Sequence, residues 1–397
     1  MSYSHLGKLA LPELQVHLRK ELAALRTVEK LASVEDSRLE AWLTDTLATD
    51  SDESRFLGQL SRDKNITQST ECLRELLAVF RKLGLAGLHP TLESYVLIHD
   101  IVKPLLPWLH DKLISDIMST FDDKYRLWDS LGVTDQNVKS FYNLILRHHH
   151  IFGVMIIGEL SYVAFSELFS DRDFVTLDRK LGEIVLDFLI FHACIDSSAV
   201  ENGYLFRKKV NRYFEVAEIV ARAYRKSDAA AELKRISKEN TQQRIEWLLS
   251  AYDHELDHRF AGFYERMLSQ GEWSNLLGSE SFVSGMANIR RISYGSRLFY
   301  SLAHQVDHPE RGHELSIPAV GRGAFIHILE ALAERAAATN RNVEYHFRNI
   351  PREPHRLVEK YELTRDSRRF EDSLKKLKPR FMSSDVEVLE VDFNELR

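Results

Sequence analysis

An imidazole and a carboxylate stand side by side inside an apolar run, Tyr95-Val-Leu-Ile-His-Asp-Ile-Val-Lys103, and this pair restricts the chain more than any other stretch. A buried polar group left without a partner costs on the order of a few kcal/mol, so His99 and Asp100 demand that other polar side chains, a metal, or both converge on them. The fold must therefore bring distant segments to one point.

Those segments read as helices. His89-Pro-Thr-Leu-Glu93 places proline and an acid where a helix start favours them, and Pro104 and Pro107 end the helix just after His99 and Asp100. Asp135 is placed to cap a helix on which Phe141, Leu144, Ile145, His148, His149 and Phe152 share one face. On the next, Leu181, Ile184, Val185, Phe188, Leu189, His192, Ile195, Asp196 and Ala199 form a stripe. Three helices thus aim metal-competent groups at a core, and imidazole with carboxylate suits Mn, Fe, Zn or Mg. The alternative for each residue taken singly is an ordinary core side chain satisfied by hydrogen bonds.

The remaining pattern is also mostly helical. Leucines at 11, 14, 18, 22 and 25 predict a helix over 9–32, and a second is expected over 37–47. Residues 48–54 read as a polar break, and 67–83 as a helix stopped by Gly84. Farther on, 324–338 reads as helix, 312–323 as loop, and 343–347 and 386–393 as short strands.

With 397 residues and 44% apolar content, the chain has material for two or three domains. Two cysteines, Cys72 and Cys194, exclude a disulfide framework and fit a reducing compartment. The most apolar window, 151–169, is broken by Glu159 and Glu167, so no membrane span is expected and the reading is a soluble, cytoplasmic protein. Residues 286–381 carry 18 Lys and Arg against 12 Asp and Glu, although the whole chain is at −6. Such a basic third fits a polyanion or an acidic protein partner, or a mixed-sign solvated surface.

His99-Asp-Ile-Val-Lys103 resembles the His-Asp-Ile-Gly-Lys signature of the HD superfamily of metal-dependent phosphohydrolases. The resemblance covers residues 62–215. Within it the helix from Gln68 is similar to the family's first helix, and His148, His149 and Asp196 are similar to its later histidines and closing aspartate. It implies an HD-type helical bundle core over 61–215; outside it the residue patterns themselves give helical flanks at 1–60 and 216–300 and a small basic α+β segment at 301–397, for a mostly α chain. It also implies a divalent metal on His99, Asp100, His148 or His149, and Asp196, with His192 nearby. Asp100 and Lys103 would serve catalysis, and the substrate would be a nucleotide or another phosphoester. Gln68 stands where the family's first histidine would be, and glutamine is a poor ligand for a borderline metal. A catalytically degenerate HD-like module for sensing or protein interaction is therefore the alternative function.

A rival motif, His254-Glu-Leu-Asp-His258, has the spacing of a zinc metallopeptidase helix, with Glu255 between two imidazoles on one face. Its neighbours Asp253, Asp257 and Arg259 are charged, which favours a solvated helix face.

Overall fold

The computed structural model describes residues 11–61, 65–101, 110–199, 207–250, 271–296, 298–299, 317–350, 376–383 and 385–394. The protein is mostly α, with a small α+β part towards the C-terminus. It divides into two compact units, one of Met1–Gly153 with Leu168–Tyr224 and one of Val154–Glu167 with Arg225–Arg397. Among the described residues, no helix is long and apolar enough to cross a membrane.

The first unit is helical. Its elements include α1 (Leu11–Ala32), α2 (Leu39–Leu47), α3 (Asp52–Leu60), α4 (Ile66–Leu85), α5 (Leu92–His99), α6 (His110–Tyr125), α7 (Gln136–His148), α8 (Arg179–Ala199) and α9 (Arg207–Tyr224). Helix α8 is its axis. The run from Leu186 to Ile195 is buried on nearly every side, as expected of a helix apolar all round, and α1, α4, α7 and α9 pack against it. Helix α1 buries Leu14, Ala24, Leu25, Val28 and Leu31, and meets α3, α4, α5 and α8. The N-terminal helices, read from sequence as a flank at 1–60, are thus built into the same core as α5 and α8.

Two helix boundaries differ from the sequence reading for identifiable reasons. Residues 48–54 are not only a break, because the Ser51 hydroxyl accepts from the Ser54 amide at 3.0 Å and starts α3 there. Gly84 does not stop α4. Gly87, at φ +77°, does, with Leu88 N–H bonded to Leu83 C=O at 3.1 Å and Gly87 N–H to Gly84 C=O at 2.9 Å. Gly84 is instead a site of close approach, since a Cβ there would lie 2.4 Å from His89 Cε1, whose ring stacks on Phe80. The face expected to run unbroken from 141 to 152 is interrupted after His148, and a separate short helix covers Ile151–Met155.

The second unit contains α10 (Ala229–Glu239), α11 (Thr241–Ser250), α12 (Gly271–Gly278), α13 (Glu280–Asn288), α14 (Ile317–Ala337) and a four-stranded sheet. Strands β1 (Ile289–Ser293), β2 (Asn342–Arg348) and β4 (Val386–Asp392) run parallel in the order β1-β2-β4, and β3 (Phe381–Met382) pairs antiparallel at the edge. Helix α14 starts at Ile317, so 317–323, expected as loop, are helical. Val343, Tyr345 and Phe347 of β2 alternate into an apolar core with Leu389 and Val391 of β4. Arg244 lies inside this unit and donates to the carbonyls of Gly158, Glu159, Met286 and Ile289, which satisfies a guanidinium that burial would otherwise penalise. Several arginines of the basic third sit on acids: Arg290 on Glu344 at 3.0 Å, Arg348 on Glu390 at 2.7 Å, and Arg335 on Glu387. Part of its positive surplus is therefore spent within the unit.

If α1 belongs to the core of the first unit, truncating Leu25, which is wholly buried, should cost about 2–5 kcal/mol of unfolding free energy. Urea unfolding of Leu25→Ala checks this; a loss below about 1 kcal/mol would mean that α1 is peripheral.

Candidate metal centre

The site is assembled by α1, α5 and α8. His99 is the last residue of α5 and Asp100 its C-cap, so the two side chains leave a helix end in different directions. Asp196 lies in the last turn of α8, and α1 contributes two residues one turn apart, His17 and Glu21. Both lie on the buried stripe of α1 between Leu14 and Ala24.

The donor atoms crowd together. His17 Nε2 lies 3.4 Å from Asp100 Oδ2, 3.4 Å from Asp196 Oδ1 and 3.5 Å from Glu21 Oε1. His99 Nε2 lies 3.2 Å from Glu21 Oε1, 3.7 Å from Asp100 Oδ2 and 4.0 Å from Asp196 Oδ1. His17, Glu21, His99 and Asp100 are buried, whereas Asp196 is 32% exposed and so marks the side that opens to solvent.

His99 Nδ1 is 2.9 Å from the Val96 carbonyl, which can only accept, so Nδ1 carries a proton and Nε2 is the atom presented to the carboxylates. Yet His99 Nε2 and both carboxylate oxygens of Glu21 are buried without any hydrogen bond. The approach at 3.2 Å is an ionic contact with poor direction for a hydrogen bond. Two trios of donor atoms, His17 with Asp100 and Asp196, and Glu21 with His99 and Asp196, each lie within 4.8 Å of one another, close enough to hold a metal ion. Two imidazoles with carboxylates also fit Mn, Fe or Zn by donor type. The residues present thus fit a divalent ion.

Without an ion, protons must do the same work. Burial works against a charged His17, but Asp100, Asp196 and Glu21 outweigh it and push its pKa up to about 12. Burial likewise opposes charge on His99, and Glu21, Asp100 and Asp196 push it up to about 9.

A second layer of rings backs the cluster. The centroid of His192 is 4.7 Å from that of His99, His149 is 5.4 Å from His192, and Tyr95 stacks at 5.9 Å from His99. His192 is held well below its usual pKa by burial and then by the neighbouring His99 and His149, so it packs as a neutral ring. His149 Nδ1 bonds the Leu146 carbonyl at 2.8 Å. His148 is turned elsewhere: its Nε2 is 3.1 Å from Asp171, which Arg147 also grips through two nitrogens.

Of the residues singled out from sequence, the structure brings together His99, Asp100 and Asp196, and stacks His149 and His192 behind them. His148 is engaged with Asp171 because α7 ends at that residue and the next, His149, leaves along a turn. Gln68 is a correction. It is exposed in the first turn of α4, its amide bonded to the Asn65 side chain, and it takes no part in the cluster. A further histidine at the cluster is His17, because the helix that meets α5 and α8 at this point is α1. Lys103, and the His254, Glu255 and His258 of the rival motif, lie outside the described residues.

His17 and Glu21 were the residues that sequence reasoning missed, and a signal existed. At 100° per residue both fall between Leu14 and Ala24 on the helical wheel, beside the leucine face, a four-residue His/Glu pair on an apolar stripe like those read on the other helices. Comparison with protein-family models, with curated proteins and with solved structures finds no match.

Because the folded pKa values of His17 and His99 are raised above the ordinary 6.5, the cluster stabilises the metal-free fold fully below about pH 6.5. That contribution should fall as pH rises through about 9, where His99 loses its proton. The stability gap between the metal-free wild type and His99→Gln, read from urea midpoints, should therefore narrow from pH 6.5 to 9.5. A widening gap would contradict this electrostatic account.

Proposed function

We propose that the chain is a divalent-metal phosphohydrolase of the HD type, its ion held by His17, His99, Asp100 and Asp196, acting on a nucleotide or another phosphoester. The observation that carries this reading is the chain order of the converged donors. A histidine from an early helix and the histidine of an adjacent His-Asp pair at a helix end each bring Nε2 within 4.0 Å of an oxygen of Asp100 and of Asp196, the aspartate of a late helix. That order agrees with the signature resemblance in 99–103, with His17 in the place first given to Gln68.

The residues divide the work. His17 and His99 supply neutral nitrogens, and the Val96 carbonyl fixes the tautomer of His99. Asp100 is sealed and holds its geometry, while Asp196, half-buried, borders the solvent side from which a phosphoester would approach. The ion supplies, when bound, a lowered pKa for water and polarisation of a phosphoryl oxygen. The apolar second layer of Tyr95 and His192 excludes water behind the cluster and so strengthens every charge interaction in front of it.

Purified protein should carry about one Mn, Fe or Zn per chain. His17→Ala should weaken metal binding by more than about tenfold and abolish hydrolysis, because loss of a direct ligand should exceed the ten- to hundredfold typical of outer-shell changes. Gln68→His should leave affinity within about twofold. Metal analysis, isothermal titration and a panel of mono-, di- and cyclic nucleotides read these outcomes. An ion that binds as described with no turnover on any phosphoester would favour the sensing or interaction module. Absence of binding would remove both the metal and the hydrolase.

A further inference from the structure

We propose that Glu21 is a fifth protein ligand to the ion, so that two imidazoles and three carboxylates form a site selective for a six-coordinate cation such as Mn2+ or Fe2+ over Zn2+. The inference rests on the metal reading above and goes beyond its four-residue set.

Glu21 is fully buried, one turn beyond His17, and neither of its oxygens makes a hydrogen bond. A buried carboxylate that makes no hydrogen bond requires a cation close by, which is protonated His17 and His99 in the metal-free fold and the ion itself when both imidazoles are neutral. Its Oε1 stands 3.2 Å from His99 Nε2 and 3.5 Å from His17 Nε2. Donor atoms about 2.1 Å from a common ion lie roughly 3.0–3.4 Å from neighbours and up to about 4.2 Å from the atom opposite. The separations of Glu21 from the two imidazoles fall in the same band as those of Asp100 and Asp196, and Glu21, His99 and Asp196 offer donor atoms close enough to one another for a single ion.

A general base would be arranged differently. It would lie on the open side, within reach of solvent water, where the part-exposed Asp196 lies, rather than buried between two imidazoles. With His17, Glu21, His99, Asp100 and Asp196 each giving one atom, a six-coordinate ion keeps one open position. Zn2+, which favours four-coordinate geometry, gains less from a fifth protein ligand than Mn2+ or Fe2+. Three carboxylates also exceed the charge of a divalent ion by one, which favours ions that take oxygen ligands readily.

The test uses the full-length chain with metal alone, Mn2+ followed by electron paramagnetic resonance and Zn2+ by indicator competition. Glu21→Gln removes the charge at constant shape, and Glu21→Leu removes the donor while suiting an apolar surrounding. Both should weaken Mn2+ by at least about tenfold and Zn2+ by clearly less, so that the Mn2+ to Zn2+ preference falls. If either folded variant keeps Mn2+ affinity within about twofold of wild type, or loses both ions equally, the inference is overturned while the four-ligand reading stands. If wild type binds neither ion, both fail together, an outcome distinct from the first.

Discussion

Three carboxylates and two imidazoles are held against one another in a helical core, and the geometry of the first unit depends on the charge balance among them. None could be buried alone, since an isolated charge in such surroundings carries a penalty of several kcal/mol. Together they tie α1, α5 and α8 to one point, and that requirement explains why α5 ends where it does and why α8 breaks its apolar run at Asp196. A structural core needs no such arrangement, because leucines at these positions would pack at lower cost. In the metal-free fold the carboxylates are balanced by the protonated His17 and His99.

The surroundings support that reading by what they exclude. Behind the cluster, Tyr95, His149 and His192 pack ring against ring, and His192 is kept neutral by burial and by its charged neighbours. The exposure within the cluster is at Asp196, so the cluster meets solvent on one face. In the second unit, by contrast, the buried charges are closed among themselves: Arg244 is saturated by carbonyls, and Glu159 accepts from the Tyr294 amide and from Ser296. Those groups hold loops and strands of the unit together.

Much of the fold was legible because it follows local periodicity. The leucine spacing of α1, the Asp135 cap of α7 and the alternation of β2 and β4 each determine an element without reference to the rest of the chain. His99, Asp100 and Asp196 were legible for a related reason, as polar residues in phase with an apolar stripe. His17 and Glu21 met the same criterion, but a leucine repeat accounts for α1 without them, and helix phase does not say which neighbour a face will meet. Gln68 illustrates the converse. Helix α4 has the length and pattern expected of a site helix, yet long-range packing turns its first turn to solvent and brings α1 to the cluster. Pairing between distant helices is decided by the whole core, and no window of sequence contains it.

The most direct measurement is crystallographic: crystals grown with Mn2+, with anomalous diffraction recorded to locate the ion. The account predicts one strong peak about 2.0–2.3 Å from His17 Nε2, His99 Nε2 and an oxygen each of Asp100 and Asp196. A Mn2+ peak elsewhere, or none at this cluster in crystals whose protein binds the ion in solution, would contradict it.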